Sequence, residues 1–315
     1  MLKKIKNHPF SALVSAFVWL AALLTAAVLV FLVGFITIKG IRYLTPDLFS
    51  LTYNSDNVSL MPALLNTLIV TALALVIAVP IGIFAAIYLV EYAKKGSRLV
   101  SLIRITAETL QGIPSIIYGL FGLLFFSTTL KWGYSLLSGS MTLVIMILPL
   151  VIRTTEEALI GVPDAYREAS FGLGAGKLRT IFRVILPSAI PGILSGVVLA
   201  TGRIVGETAA LLYTAGSVAK IPSSLMGSGR TLAVHMYVLS TEGLHMEQAY
   251  ATAIVLLLFV LVLNSLSTLC AKQLQHFRGD APASNAQSIK RRVTIWLQKR
   301  VQFKICRRQL SNGKN

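Results

Sequence analysis

Hydrophobic residues along this chain come in long unbroken runs, unlike the short alternating stripes of a water-soluble core. Six runs stand out, at residues 10–38, 60–90, 109–130, 132–152, 184–202 and 249–271. A hydrocarbon layer about 30 Å thick needs roughly 20 residues of helix, so each run is long enough to cross it. Lys3, Lys4 and Lys6 precede the first run in the manner of a secretory signal. That run far exceeds the roughly 7–15 residues of a signal's apolar region, and the sequence predicts an uncleaved anchor. The expected fold is an all-α membrane protein with six transmembrane helices. Its organisation is an anchor helix and first outer loop (1–59), a core of membrane spans (60–271) and a basic tail (272–315).

Composition agrees, with 55% hydrophobic and 13% charged residues and a mean hydropathy of +0.74. A net charge of +17 would suit a nucleic-acid binder, but the positions of the basic residues exclude that reading. Lys94, Lys95, Arg98, Arg104, Arg153, Arg167, Lys177, Arg179, Arg183 and the tail fall on one side with Lys3, Lys4 and Lys6. The other side keeps only Lys39, Arg42, Lys131, Lys220 and Arg230. This is the positive-inside bias, and it predicts a multi-pass membrane protein with both termini cytoplasmic. Cys270 and Cys306 then lie on the reducing side, with no disulfide framework implied. His235-Met236 and His245-Met246 lack the spacing of a metal-ligand set and are expected to be ordinary loop residues.

Between the fourth and fifth runs the chain reads EASFGLGAGKLRTIFRVILP, from Glu168 to Pro187. Its glycines suggest a phosphate cradle, but a P-loop would need Gly and Ser or Thr where Phe171 and Leu178 stand. A dinucleotide fingerprint fails too, because the spacing is G-x-G-x-G and no buried strand precedes it. Pro163 and Asp164 instead suit the start of a short helix that stops in the glycines. Leu178, Ile181, Phe182 and Ile185 then recur at helical spacing, so an amphipathic surface helix is expected to feed the fifth run. Helix, turn, helix makes a cytoplasmic knuckle.

Glu168-Ala169-Ser170, then Gly174, then Val184-x-Leu186-Pro187 resembles the EAA motif of ABC importer permeases, with Ser170 and Val184 in place of Ala and Ile. The resemblance implies a type I ABC importer permease fold whose EAA helix docks into an ATP-binding subunit. Glu168, Ala169, Ser170, Gly174, Leu186 and Pro187 are then the coupling residues. It also implies no catalytic residue, metal or cofactor in this chain, with ATP and Mg used by the partner ATPase.

The fifth run contains Arg203 and Glu207, although a charge at mid-bilayer costs about 2.5–3.5 kcal/mol. Spaced i and i+4, they are expected to share a helix face and can pair, with each other or with a partner permease. Thr201 and Thr208 add hydroxyls, and Gly192, Gly196, Gly202 and Gly206 allow close helix approach. Phosphate offers negative oxygens to a guanidinium and a hydroxyl to a carboxylate. Glu207 either recognises that hydroxyl or holds Arg203 in a gate. The string G-R-x-x-G-E-T-A-A-L-L, with Arg230-Thr-Leu-Ala-Val-His-Met-Tyr237 and Ala249-Tyr-Ala-Thr-Ala253, is similar to PstA-type permeases of the phosphate importer over roughly residues 60–271. This resemblance implies a heterodimer with a homologous PstC-type permease, two ATP-binding subunits and an extracytoplasmic phosphate-binding protein. Import of another oxyanion, such as sulfate or molybdate, and ion-coupled secondary transport stand as alternatives.

Three further stretches complete the reading. Residues 213–248 are too long for a plain connection and are expected to cap the pathway and meet the binding protein. Asn66-Thr67 and the Gln111-Gly-Ile-Pro114 break either border the pathway or serve helix packing. The basic tail is expected to lie against anionic membrane lipids.

Overall fold

The computed structural model describes residues 9–94 and 96–276, and every regular element among them is helical. The readings of Lys3, Lys4 and Lys6 and of the tail beyond residue 276 lie outside them. The chain divides into two compact units, Met1–Thr268 and Leu269–Asn315; the helix bundle belongs to the first.

Helix α1 (Pro9–Gly40) is apolar on all sides and almost wholly exposed, as befits a helix in hydrocarbon. It is held at its outer end, where Phe35 stands edge-on to Tyr250 at 6.0 Å and a side chain at Gly40 would strike the Tyr250 backbone. Helix α2 (Met61–Ile87) continues through a π-helical turn, Tyr88–Tyr92. Two helices follow: α3 (Arg98–Gln111), then α4 (Ser115–Gly122), which runs on through another π turn, Leu123–Thr129. The expected third span at 109–130 is therefore corrected. Its apolar helix starts only at Ser115, and α3 meets it at 99° across Gly112–Ile113–Pro114. The predicted break is present because Pro114 has no N–H to donate and forces the residue before it out of helical geometry. Tyr118 satisfies the opened backbone by donating to the Leu110 carbonyl (2.7 Å), and Gln111 ties the break to the next long helix by donating to its Pro149 carbonyl (3.3 Å). Counting this bent pair as one span gives six helical spans, and five without it.

Helix α5 (Leu136–Ile160) is the most enclosed, with α2 on one side and the fifth span on the other. Small residues set these distances. A side chain at Gly82 would meet Val151, and one at Gly192 would come within 2.6 Å of Ala158. The core between the helices is built from Ala74 and Ala78 of α2, Met146, Ile147 and Val151 of α5, and Ala200 and Ile204 of the fifth span. Helix α5 passes the expected end at residue 152 because its charges are paired. Arg104 Nε donates to Glu156 at 2.6 Å, Arg153 Nε donates to Glu157 at 2.8 Å, and Arg153 also pairs with Glu108.

Helix α6 (Asp164–Gly172) precedes α7 (Lys177–Thr180), which continues through a π turn, Ile181–Ile185, into α8 (Leu186–Val205). The expected separate surface helix is thus the first part of the fifth span, since no residue between Lys177 and Val205 leaves helical geometry. Helices α9 (Ala209–Thr214), α10 (Leu232–Glu242) and α11 (Met246–His276) complete the chain.

Helices α4 and α9 approach backbone to backbone, and a Cβ on Gly119 would lie 2.8 Å from Ala210 Cα. Backbone cannot yield as a side chain does, so Gly119→Val should cost about 1–3 kcal/mol. Thermal unfolding of the purified protein should show a lowered midpoint for Gly119→Val. Gly34→Ala, with nothing within 4 Å, should leave it unchanged.

Candidate functional site

The knuckle forms where the sequence places it. Pro163 leads into α6, and the helix ends at Gly174, whose φ of +80° is a left-handed conformation that glycine adopts without strain. Glu168 and Ala169 are exposed, while Ser170 is buried and its hydroxyl lies 2.8 Å from that of Thr180. The departure from the second alanine of the motif therefore makes a hydrogen bond to the root of the fifth span. Leu186 and Pro187 are half-buried at the start of α8.

Arg167 holds the knuckle in place, a role the sequence did not reveal. Its guanidinium donates to Glu91 at the end of the second span (2.8 and 3.1 Å), to Asp164 (3.0 Å), and to the Leu159 and Val162 carbonyls (3.1 and 2.9 Å) that close α5. The available signal was Glu91 itself, a lone acid at the end of a long apolar run. Lys177 adds a cation–π contact 4.7 Å from the Tyr92 ring centre. Outside this anchorage Tyr166, Phe171, Leu173 and Leu178 are exposed, Leu173 at 90%. Apolar side chains gathered on a polar knuckle mark a surface for a partner.

The second site is a break in the fifth span. Helix α8 ends at Val205; Gly206 and Glu207 close it by donating to the Gly202 and Ile204 carbonyls, and α9 begins at Ala209. The break lies along the length of α5: a Cβ on Gly139 would touch Leu211 and Ala215, Ser135 N–H donates to the Thr214 carbonyl, and Leu150 shares a cavity with Arg203. Arg203 and Glu207 consequently do not share a helix face, and no ion pair joins them among the described residues. This corrects the expected shared face. Glu207, 8% exposed, accepts from the Ala210 N–H at 3.1 Å and satisfies backbone that the break frees. Thr201 is buried and donates to the Val197 carbonyl, while Thr208 makes only a 3.5 Å contact to Gly206 O. Arg203 alone of the four faces open space: a cavity of about 540 Å³ lined by Leu150, Ser195, Val198, Leu199, Gly202 and Asn264. Its place in the last turn of α8 suits a cation.

The outer segment folds down onto the bundle. Asn66 donates to the Lys220 and Arg230 carbonyls (3.0 and 3.1 Å), and Thr67 accepts from the Leu232 N–H at 2.8 Å. The Leu136 and Leu137 amides donate to Gly227 and Leu225. Asn66 and Thr67 thus anchor the outer segment. His235 differs from the loop residue expected of it: it is buried in α10, edge-on to Tyr53, whose ring also carries Arg230 at 4.7 Å. Burial, and next the charge of Arg230, push its pKa down to about 3 against a weaker opposing effect of the Val58 backbone.

A charge at a break between packed helices, and an apolar cap at one end of the same helices, belong to a solute-moving membrane protein. Residues 78–276 match the binding-protein-dependent transport system inner membrane components, and the chain belongs to that family of multi-pass permeases. A probable ABC transporter permease, YqgI of Bacillus subtilis, is 34% identical over 78% of this chain and 89% of its own length. The phosphate transport system permease protein PstA of Pasteurella multocida is 35% identical over 72% of this chain and 81% of its own. PstA 1 of Mycobacterium tuberculosis is 43% identical over 49% of this chain and 50% of its own. Among solved structures, a bacterial ABC transporter that imports alginate superposes at a TM-score of 0.59 with 17% identity, over 86% of this chain and 98% of that one. The methionine transporter MetNI superposes at 0.53 with 19% identity, over 68% and 94%. The fold is that of type I ABC importer permeases.

His235 gives a pH prediction. Its folded pKa lies below the ordinary 6.5, so the unfolded chain takes up the proton first, and stability present above about pH 6.5 is lost as pH falls toward 3. The thermal midpoint should drop between about pH 7.5 and 5, and His235→Leu should flatten that dependence.

Proposed function

We propose that this chain is the PstA-type permease of an ATP-driven importer of inorganic phosphate. The observation that carries the reading is Arg203, a half-buried guanidinium at the break in the fifth span. It faces a cavity with no carboxylate within ion-pair distance among the described residues. Such a group attracts an oxyanion through charge and through its fork of donors. Contact there is weak enough to let the ion leave, as a passage requires. The phosphate permeases among its relatives supply the choice of ion.

The energy source in this reading is external. The glycines at 172–176 lie at a helix end and lack the spacing of a phosphate loop, which supports the use of ATP and Mg by two partner ATPase subunits that grip the cap of Phe171, Leu173 and Leu178. A homologous PstC-type permease completes the pathway, and an extracytoplasmic phosphate-binding protein delivers the ion to the outer segment. The bias of basic residues supports a knuckle and both termini in the cytoplasm, and the permease family supports a bacterial inner membrane as the bundle's location. Closure of the ATPases then moves α6, and Arg167 passes that motion to the second span through Glu91 and to the end of α5.

In vesicles holding the complete importer, Arg203→Ala should reduce ATP-dependent uptake of labelled phosphate by tenfold or more while the assembled complex keeps its yield. Leu173→Asp should instead lose uptake together with the ATP hydrolysis that the loaded binding protein stimulates. Undiminished phosphate uptake by Arg203→Ala would overturn the assignment.

A further inference from the structure

Leu143, Met146, Leu150, Arg153 and Glu157 follow one another along α5 at steps of three and four residues, and so share one face of it. That face changes character on its way to the knuckle. Leu143 and Met146 are fully buried, Leu150 lines the cavity of Arg203, and Arg153 and Glu157 are open to the surroundings at 41 and 62%. At about 1.5 Å of rise per residue, Arg153 stands one turn beyond Leu150 on the knuckle side. It lines a second open cavity, of about 310 Å³, together with Glu108, Glu156 and Glu157.

Three arginines form ion pairs among the described residues, and the burial of their partners separates them. Arg104 holds Glu156, 8% exposed, and Arg167 holds Glu91, 10% exposed; a buried carboxylate stripped of its cation is costly, so these two are fixed. Arg153 differs. Its guanidinium donates to Glu157 at 2.8 Å and pairs with Glu108 of α3, and both carboxylates are exposed. Exposed pairs of that kind are worth so little that a competing anion can exchange for them.

We infer that Arg153 is a second station for the anion, on the knuckle side of Arg203, and that Glu108 and Glu157 compete for its guanidinium and so release the ion. The inference rests on the phosphate reading above and adds to it the step of release. No carboxylate within ion-pair distance displaces an ion from Arg203 among the described residues, so the ion needs a contested cation further along. One turn down the same face of α5 it meets the same donor fork, faced by two carboxylates. The oxyanion takes the donors that one carboxylate vacates, and the carboxylates reclaim them. Two stations in succession, the second contested, let an ion enter and still leave.

The test uses the complete importer in vesicles, with labelled phosphate as probe and ATP on the knuckle side. Two quantities are read: phosphate moved per ATP hydrolysed, and the concentration of unlabelled phosphate on the knuckle side that halves transport. Arg153→Gln should lower the ratio about tenfold, the loss of a contact to a charged partner, and Arg153→Lys, which keeps the charge, should recover most of it. Glu108→Gln combined with Glu157→Gln leaves the bound ion uncontested, so the half-inhibiting concentration should fall about tenfold. Adding Arg153→Gln to that pair should cancel the fall. A wild-type ratio in Arg153→Gln would overturn the inference. So would an unchanged half-inhibiting concentration in the carboxylate variant, or a fall that persists without Arg153, because loosened packing does not depend on the guanidinium. If Arg203→Ala is impaired and these variants are not, this inference alone fails; if Arg203→Ala transports normally, the phosphate reading fails with it.

Discussion

Inside hydrocarbon no water is available to a backbone N–H or C=O, and this constraint shapes the whole chain. Helices satisfy it along their length, which explains why helix is the one regular form among the described residues. Wherever a helix stops within the bundle, a side chain has to replace the missing bond. Tyr118 does so for the Leu110 carbonyl before Pro114, and Glu207 does so below Ala210. Each break therefore carries a polar residue whose first duty is to the backbone. That requirement separates Glu207, which is committed, from Arg203, which faces open space.

The two sites are linked by the packing of the long helices. Ser170 fastens the knuckle to the root of the fifth span, and Arg167 fastens it to the second span and the end of α5. Those same helices meet along α5 through contacts made at glycine and alanine, where little side-chain volume can absorb a displacement. In the proposed importer, a push on α6 would pass to whole helices, with the break at Gly206–Thr208 as the point where the fifth span responds. Arg203 occupies the last turn before that point.

Much of this was legible in the chain. Unbroken apolar runs gave the spans, since length and hydropathy alone decide whether a helix belongs in lipid. Pro163 and Gly174 bounded α6, because proline lacks an N–H and glycine accepts a left-handed φ whatever surrounds them. Pro114 marked the break in the third span for the same local reason. The errors fell where charge was read without its partner. Arg104, Glu108, Arg153 and Glu156 looked like loop, yet they extend α5 and build α3 because they neutralise one another across the two helices.

The amino-acid sequence by itself determined the membrane-spanning helical class, the orientation bias and the knuckle, because each depends on local chemistry or on simple length. Tertiary structure alone decided which polar groups remain free. The i and i+4 spacing of Arg203 and Glu207 suggested one shared face, but a turn at Gly206 sent Glu207 to the Ala210 amide. Asn264, 61 residues further along, was brought to Arg203 by the packing of α11. Whether a buried donor or acceptor is already engaged depends on neighbours distant in the chain, and no periodicity records them.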